Sequence, residues 1–173
     1  MINKLVSGGT FPVLNIPKYG GGSIQLGGKG AWQLIIVYRG QHCPLCKIYL
    51  NKLEKLYPEF KDLGVEVVAI SSDPYQKVER DLKEFKWSFS IGYDLSKSDM
   101  IKLGVYISNP RSINETDRQF PEPACFVIRP DGIAQIIEIS NSPVARIELE
   151  NLASSLEWIM DNEYPVRGTA SLK

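Results

Sequence analysis

The hydrophobic pattern switches between two periods along the chain. Nearly unbroken apolar runs at 31–38 and 65–71 are typical of strands that are covered on both faces. From Cys43 to Gly64 the apolar residues instead recur three or four positions apart, which predicts an amphipathic helix. Pro44 suits the first turn of this helix, and Pro58 predicts a kink or a break near its end. Strand, helix and strand in succession predict a right-handed crossover between parallel strands.

The same two periods predict the regular elements in the rest of the chain. They are a helix that Asp73 caps, with Pro74 in its first turn, to about Lys86, a short strand at 88–93, a small helix at 98–103, a hairpin at 124–139 and a last amphipathic helix at 145–160. Residues 106–123 have no sustained period, which predicts a long surface loop. Because the chain has neither an internal repeat nor a linker, we expect residues 1–173 to form a single α/β domain.

Composition narrows the class of protein. The 20 Lys and Arg residues balance 20 Asp and Glu residues, so no overall field would attract nucleic acid or an anionic membrane. No window reaches the roughly 18 apolar residues of a membrane span, and segment 1–20 has no continuous apolar stretch. The glycine-dense segment 20–30 lacks the ending of a phosphate-binding loop and predicts tight turns around a short strand. Without an apolar leader stretch or a membrane span we expect a cytoplasmic protein. Three cysteines are also too few for a secreted disulfide scaffold.

Two of the cysteines, Cys43 and Cys46, stand at the predicted start of the first helix. A cysteine in this position meets unpaired amide N–H groups and the positive end of the helix dipole, and both favour the thiolate. The thiolate is the form that attacks disulfides and peroxides. A second cysteine three residues along lies about one helical turn away, close enough to form a small disulfide after the first has reacted. The spacing therefore predicts a reversible two-electron redox site.

Three other interpretations bear on this site. His42, the only histidine, directly precedes Cys43, where a protonated imidazole would stabilise the thiolate; it could equally be an exposed loop residue. Cys125 lies on a predicted strand, where we expect a small core residue. A zinc site would need two ligands besides the motif cysteines, and only Cys125 and His42 are available. Neither a metal nor another cofactor is therefore expected.

Three runs of the sequence resemble a known family. They are Leu34 to Leu50, which contains the motif Tyr-Arg-Gly-x-x-Cys-Pro-x-Cys, then Val67 to Pro74, and Pro123 to Gly132. Together with the opening run from Gly9 to Pro12, they are similar to the alkyl hydroperoxide reductase C/thiol-specific antioxidant (AhpC/TSA) group of peroxiredoxin-like proteins in the thioredoxin-like superfamily. The resemblance implies a thioredoxin-like fold, in which helices cover both faces of a central mixed sheet.

The resemblance gives the two cysteines different roles in two families. In the alignment with peroxiredoxins Cys46 falls on the peroxidatic cysteine, and Cys43 replaces a threonine. Thioredoxins carry cysteines at both positions, attack with the first, and have a cis-proline that Pro123 matches. Pro123 also falls about where peroxiredoxins have the arginine that polarises the peroxide, and Arg39 replaces the proline of their loop. Arg39 is therefore a candidate for the charge that holds a peroxide oxygen.

The resemblance implies an antioxidant, thiol-dependent oxidoreductase that finishes its reaction with a Cys43–Cys46 disulfide. A thioredoxin- or glutathione-type donor would reduce this disulfide again. In a peroxidase, Cys46 attacks the hydroperoxide and Cys43 resolves the sulfenic acid; in a disulfide reductase, Cys43 attacks and Cys46 resolves. A non-enzymatic redox sensor that acts through the 106–123 loop is a third possibility. The sequence favours the peroxidase slightly and leaves the oligomeric state open.

Overall fold

The computed structural model describes residues 5–170, which form strands and helices in alternation. In chain order the elements are β1 (Leu14–Pro17), β2 (Ser23–Leu26), β3 (Trp32–Val37), α1 (Pro44–Asp62), β4 (Val65–Ile70), α2 (Tyr75–Phe85), β5 (Ser90–Gly92), α3 (Lys97–Lys102), β6 (Ile107–Ser108), β7 (Phe120–Pro121), β8 (Ala124–Ile128), β9 (Ala134–Ile139) and α4 (Leu149–Asp161).

Five strands form the central sheet in the order β5-β4-β3-β8-β9. β3 is parallel to β4, and β4 is parallel to β5, whereas β8 is antiparallel to both β3 and β9. The register pairs Val37 with Ile70 on one side and with Ala124 on the other, and Ala124 pairs with Ile139. The chain therefore leaves β3, β4 and β9, and enters β8, at one end of the sheet. We call this the upper end, and loops from several parts of the chain meet there.

Apolar side chains cover both faces of this sheet. One face packs against α1, α2 and α4 through residues that include Leu50, Val78 and Leu152. The other face packs against the β1–β2 hairpin and α3 through residues that include Ile16 and Met100. The prediction of a mixed sheet with helices on both faces is confirmed.

The helix α1 runs without interruption through Pro58, so the break predicted there does not occur. Pro58 is exposed, and the carbonyl that loses its hydrogen-bond partner to the proline ring is four residues earlier on the same side of the helix. Leu53 and Phe60 are buried on either side of Pro58 and hold the last turns against the sheet. The packing of these two side chains therefore keeps the helix continuous through Pro58.

The helix α2 begins at Tyr75, and its N-cap is Pro74 rather than the predicted Asp73. The carboxylate of Asp73 makes no capping bond, because it accepts a hydrogen bond from the backbone N–H of Gln41 at 2.6 Å. The residue that the sequence assigns to the start of a helix therefore bonds to the loop before α1.

The helix α4 begins at Leu149, four residues after the predicted start. The preceding segment is irregular, since its backbone bonds to α1: the hydroxyl of Tyr49 donates a hydrogen bond to the carbonyl of Ile147 at 2.9 Å. Residues 145–148, which the periodicity assigned to a helix, are instead an irregular connection that contacts α1.

The predicted surface loop at 106–123 is only partly a surface loop. β6 and β7 pair across its base, and Phe120 to Pro123 are buried. Strands of two residues are too short to produce a sequence period, which is why the pattern did not indicate them.

The remaining predicted elements are confirmed within a few residues, including the short strand β2 in the glycine-dense segment and the β8–β9 hairpin. Across residues 5–170, every helix is too short or too polar to cross a membrane.

Candidate active site

Cys43 and Cys46 lie where the chain passes from β3 to α1, at the upper end of the sheet. Cys43 is the N-cap of α1, and its sulfur accepts a hydrogen bond from the backbone N–H of Cys46 at 3.2 Å. Pro44 takes the first helical position, as predicted. The Cα atoms of the two cysteines are 5.3 Å apart and their sulfurs are at disulfide distance. The predicted pairing of the motif cysteines is therefore present.

The start of α1 favours negative charge on these sulfurs. Its first turn carries no acidic residue, and its unpaired amide groups point toward the cap position. A charge at such a position gains about 0.3–1 kcal/mol from the helix dipole when it is exposed, and more when it is partly buried. Cys43 is 2% exposed and Cys46 is 0% exposed, so salt in the solvent screens this interaction little.

Arg146 is a candidate site residue that the sequence patterns did not indicate. Its Nη2 donates a hydrogen bond to the sulfur of Cys46 at 2.8 Å, and its Nε donates to the carbonyl of Pro143 at 2.9 Å. The guanidinium also lies over the ring of Tyr49, 4.8 Å from its centroid. Burial lowers the pKa of Arg146, but an arginine keeps its proton in a protein. A fixed positive charge therefore touches the sulfur of Cys46.

A signal for this residue did exist in the sequence. The predicted hairpin returns the chain to the end of the sheet at which β3 finishes, because two antiparallel pairings reverse its direction twice. Residues just after Ile139 must then lie near Cys43, and Arg146 is the first charged residue that follows.

Arg39 has other partners in the structure. Its guanidinium forms ion pairs with Glu122 at 3.4 Å and with Glu115 at 3.7 Å, and it lies over the ring of Phe120 at 4.8 Å. Two carboxylates from the 106–123 segment therefore balance its charge. That Arg39 holds a peroxide oxygen stays a prediction, and the arginine on the sulfur of Cys46 is Arg146.

His42 fits neither of the two interpretations given to it. The imidazole is half-buried and packs edge-on against Phe120, with 4.5 Å between the ring centroids. Burial and the neighbouring charge of Arg39 lower the pKa of His42 to about 4. The ring is therefore neutral near pH 7, and it is not an exposed loop residue.

Pro123 directly precedes β8 at the upper end of the sheet. It is buried, and its carbonyl accepts a hydrogen bond from the backbone N–H of Ser140 at 2.9 Å. All peptide bonds within residues 5–170 are trans, so the match to a cis-proline is wrong in its geometry. The position of Pro123 next to the loop before α1 agrees with the alignment, because the following residue, Ala124, pairs with Val37.

Cys125 is unpaired and buried in β8, opposite Ile36. Burial raises the pKa of the Cys125 thiol, which keeps it protonated and unreactive. The expectation of a small core residue is confirmed. Within the part of the chain that the structure describes, no three His, Cys, Asp or Glu side chains form a group that could hold a metal ion.

Oxidised protein is expected to retain one titratable thiol of three. Cys43 and Cys46 are already at disulfide distance, whereas Cys125 is enclosed in the sheet. Thiol titration in denaturant after peroxide treatment, followed by mass spectrometry of the peptides, checks the count and the pairing. A Cys43–Cys125 or Cys46–Cys125 bond would give the same count and would contradict the assignment of Cys125 to the core.

An apolar groove of about 340 Å³ opens beside Arg146, between α1 and the segment before α4. Its walls include Leu45, Ile48 and Val144, which are 41%, 63% and 78% exposed. At its far end Lys52 forms ion pairs with Glu148 at 2.6 Å and with Glu150 at 3.2 Å. The groove therefore combines an apolar wall with charged groups, among them the guanidinium that contacts Cys46.

The central sheet is mixed, the helix after β3 starts with a Cys-Pro-Leu-Cys motif, and a half-buried arginine contacts the second sulfur. Together these features define a thiol–disulfide redox protein of the thioredoxin-like fold. The sequence model of the AhpC/TSA family matches residues 8–137, and the chain belongs to this family.

Known relatives agree with this assignment. Alkyl hydroperoxide reductase C of Amphibacillus xylanus is 27% identical over 139 residues, which are 78% of this chain and 70% of the relative. Thiol-disulfide oxidoreductase ResA of Halalkalibacterium halodurans is 35% identical over 82 residues, 47% of this chain and 45% of the relative.

Solved structures share the fold. A peroxiredoxin 6 mutant of Arenicola marina has a TM-score of 0.77 and 17% identity over 92% of this chain and 76% of its own. A peroxiredoxin-like protein from Aquifex aeolicus has a TM-score of 0.76 and 18% identity over 90% and 88% of the two chains. The predictions of a thioredoxin-like fold and of a thiol-dependent oxidoreductase are confirmed.

Proposed function

We propose that the chain reduces hydroperoxides with Cys46 as the attacking thiol and Cys43 as the resolving thiol. The observation that carries this proposal is the 2.8 Å contact between Nη2 of Arg146 and the sulfur of Cys46. An opposite charge within hydrogen-bond distance stabilises a thiolate, and the same guanidinium can hold the oxygen on which negative charge develops. The hydrogen bond to the sulfur of Cys43 comes from the backbone N–H of Cys46.

The first step forms a sulfur–oxygen bond. The Cys46 thiolate attacks the terminal oxygen of the hydroperoxide, the O–O bond breaks, and the leaving oxygen takes a proton and departs as an alcohol or water. Cys46 becomes a sulfenic acid. Arg146 supports this step twice, because it lowers the fraction of protonated thiol and stabilises the charge on the departing oxygen.

The second step forms the disulfide. The sulfur of Cys43 attacks the sulfur of Cys46, and the sulfenic oxygen leaves as water. Because the two sulfurs are at disulfide distance in the folded protein, this step needs no large movement of α1. A dithiol donor then reduces the disulfide and is itself oxidised. Peroxiredoxins in general use thioredoxin-type reductants, and we infer such a donor for this chain. We also infer that the chain is located in the cytoplasm.

We infer that an alkyl hydroperoxide is among the substrates. Several relatives are alkyl hydroperoxide reductases by name, and the groove beside Arg146 is lined by exposed apolar side chains. An alkyl group in this groove would be removed from water beside the guanidinium that contacts Cys46. This burial would stabilise the complex by about 25 cal/mol per Å² of apolar surface buried.

A thiol–disulfide reductase is the second candidate function. It is favoured by the position of Cys43, whose sulfur caps α1 and receives the amide hydrogen bond that activates a first cysteine. The likeness to ResA over 82 residues points to the same chemistry. In this function Cys43 attacks a substrate disulfide, and Cys46 releases the mixed disulfide.

Reduced protein is expected to consume hydroperoxide in proportion to the disulfide it forms, about one equivalent per chain. Stopped-flow mixing of reduced protein with hydrogen peroxide and with cumene hydroperoxide measures the rate, and thiol titration measures the disulfide. Cys125→Ser is the matched control and should react at the rate of the unmodified chain, because Cys125 is buried and protonated. Consumption no faster than that of a double variant, Cys43→Ser with Cys46→Ser, would overturn the peroxidase proposal.

A further inference from the structure

A buried carboxylate lies under the loop that leads to Cys43. Asp73 follows β4 at the upper end of the sheet and is 1% exposed. Its Oδ2 accepts a hydrogen bond from the backbone N–H of Gln41 at 2.6 Å. A buried carboxylate is costly unless it is hydrogen-bonded, and burial raises the pKa of Asp73 even though this bond and the charge of Lys77 act in the opposite direction. Its position therefore calls for an explanation beyond packing.

Gly40 shows how closely the loop fits this carboxylate. Its φ is +128°, a conformation that residues with a side chain rarely adopt. A Cβ atom at this position would lie 2.7–2.8 Å from all three carboxyl atoms of Asp73. The backbone of Gly40 thus rests directly on the carboxylate, and the contact requires both a glycine on one side and a short acid on the other.

The turn on this carboxylate ends at the redox pair. The carbonyl of Gly40 accepts a hydrogen bond from the backbone N–H of Cys43 at 3.1 Å. On the outer side, Arg80 of α2 donates a hydrogen bond to the side-chain oxygen of Gln41 at 3.3 Å. Two hydrogen bonds and one close packing contact therefore connect Asp73 to the backbone of Cys43.

We propose that Asp73 is a positioning residue for the redox pair: its carboxylate fixes the backbone of Gly40 and Gln41 and thereby holds Cys43 opposite Cys46. This proposal rests on the proposed function for the identity of the redox pair, and it is independent of the substrate. When the carboxylate is removed, the turn loosens and the two sulfurs meet less often. The dithiol then forms its disulfide less readily.

The test is the equilibrium between the full chain and dithiothreitol redox buffers, which involves no peroxide. Asp73→Asn is expected to lower the equilibrium constant for disulfide formation about tenfold at pH 7, which corresponds to about 30 mV. Asp117→Asn is the matched control. Asp117 is exposed and pairs at 2.7 Å with Lys77, the same lysine that lies beside Asp73. Within residues 5–170 its carboxylate makes no hydrogen bond or ion pair to Gly40 or Gln41. A change of less than about twofold in Asp73→Asn would overturn the proposal.

Two readouts separate positioning from a purely electrostatic effect. A purely electrostatic effect would depend on the negative charge alone, so Asp73→Glu, which keeps that charge, would restore the equilibrium constant. Positioning predicts that Asp73→Glu fails to restore the equilibrium constant, because the longer side chain collides with Gly40. Gly40→Ala disrupts the same contact by adding a side chain on the loop, and it should also lower the equilibrium constant for disulfide formation. Full restoration by Asp73→Glu would assign the effect to charge and refute positioning.

A comparison of the pH dependence of the unmodified chain with that of Asp73→Asn gives a further test. As the pH falls through the raised pKa of Asp73, the carboxylate gains a proton, its bond to Gln41 weakens, and the disulfide constant should fall toward that of Asp73→Asn. The charged and titratable groups that face Asp73 are Lys77 and Asp81 of α2, Arg118 of the loop before β7, and Tyr38 after β3. These groups are present both in the unmodified chain and in Asp73→Asn, so the difference between the two pH profiles of the disulfide constant measures the contribution of Asp73. Parallel profiles would overturn the proposal. A failure of peroxide reduction alone would leave this result unchanged.

Discussion

Cys46→Ser is expected to lose rapid reaction with hydroperoxide, whereas Cys43→Ser should retain a single rapid oxidation. The guanidinium of Arg146 contacts the sulfur of Cys46, so only this cysteine combines a stabilised thiolate with a charge for the departing oxygen. Without Cys46 the chain loses both the stabilised thiolate and the charge for the departing oxygen. Cys46→Ser should therefore react at least about 10²–10³-fold more slowly than the unmodified chain. Stopped-flow oxidation of each reduced variant measures the rates, and dimedone labelling with mass spectrometry locates the sulfenic acid.

The two variants also distinguish the two candidate functions. In Cys43→Ser the sulfenic acid on Cys46 has no resolving partner, because Cys125 is enclosed in β8, and it should persist long enough to be trapped. In a disulfide reductase the pattern is reversed: Cys46→Ser accumulates mixed disulfides through Cys43, and neither variant consumes peroxide. That outcome would contradict the peroxidase proposal and support the ResA-like alternative.

Arg146→Met should lower the rate of peroxide reduction by about 10²–10³-fold while the protein stays folded. Methionine keeps much of the side-chain volume beside Tyr49 but removes the charge from the sulfur of Cys46. The variant also removes the opposite charge that stabilises the Cys46 thiolate. Rates measured across the pH range separate the two contributions, since a high pH restores the thiolate but not the charge on the departing oxygen.

Two further arginines serve as comparisons for Arg146→Met. Arg129→Met removes a charge that pairs with Asp131 at the opposite end of the sheet and should leave the rate unchanged. Arg39→Met breaks ion pairs with Glu115 and Glu122 and is expected to destabilise the protein more than it slows oxidation. If Arg39→Met abolishes peroxide reduction in a folded protein and Arg146→Met does not, the peroxide is held by Arg39, as the sequence alone suggests.

Local patterns predicted most of the regular elements and the redox pair. The apolar run before Arg39, the three-or-four spacing after Cys43 and the proline at position 44 each depend on neighbours in the chain, and all agree with the structure. The buried state of Cys125 also follows from its strand. These features are controlled by short-range spacing, which a single sequence contains.

The rest of the site depends on contacts between distant parts of the chain. Arg146 is 100 residues from Cys46 and lies in an irregular segment where no period indicates its direction. The pKa of His42 depends on Phe120 and Arg39, which enclose its ring. Asp73 was assigned to a helix cap because a single sequence shows the nearest backbone groups, not the loop 32 residues earlier that it bonds to. Sheet register could have indicated these neighbourhoods, but not the individual hydrogen bonds.

The ends of the described chain are tied to the opposite end of the sheet from the cysteines. The backbone N–H of Gly8 donates a hydrogen bond to the carbonyl of Ala134, where β9 begins, and the side chain of Gln135 donates one to the carbonyl of Tyr164. β9 begins opposite Ile128, far along the strands from Val37. A domain fused at either end, or a surface to which either end is attached, would therefore lie at the opposite end of the sheet from Cys43, Cys46 and the groove. Attachment through either end would therefore not place the partner surface directly on the groove.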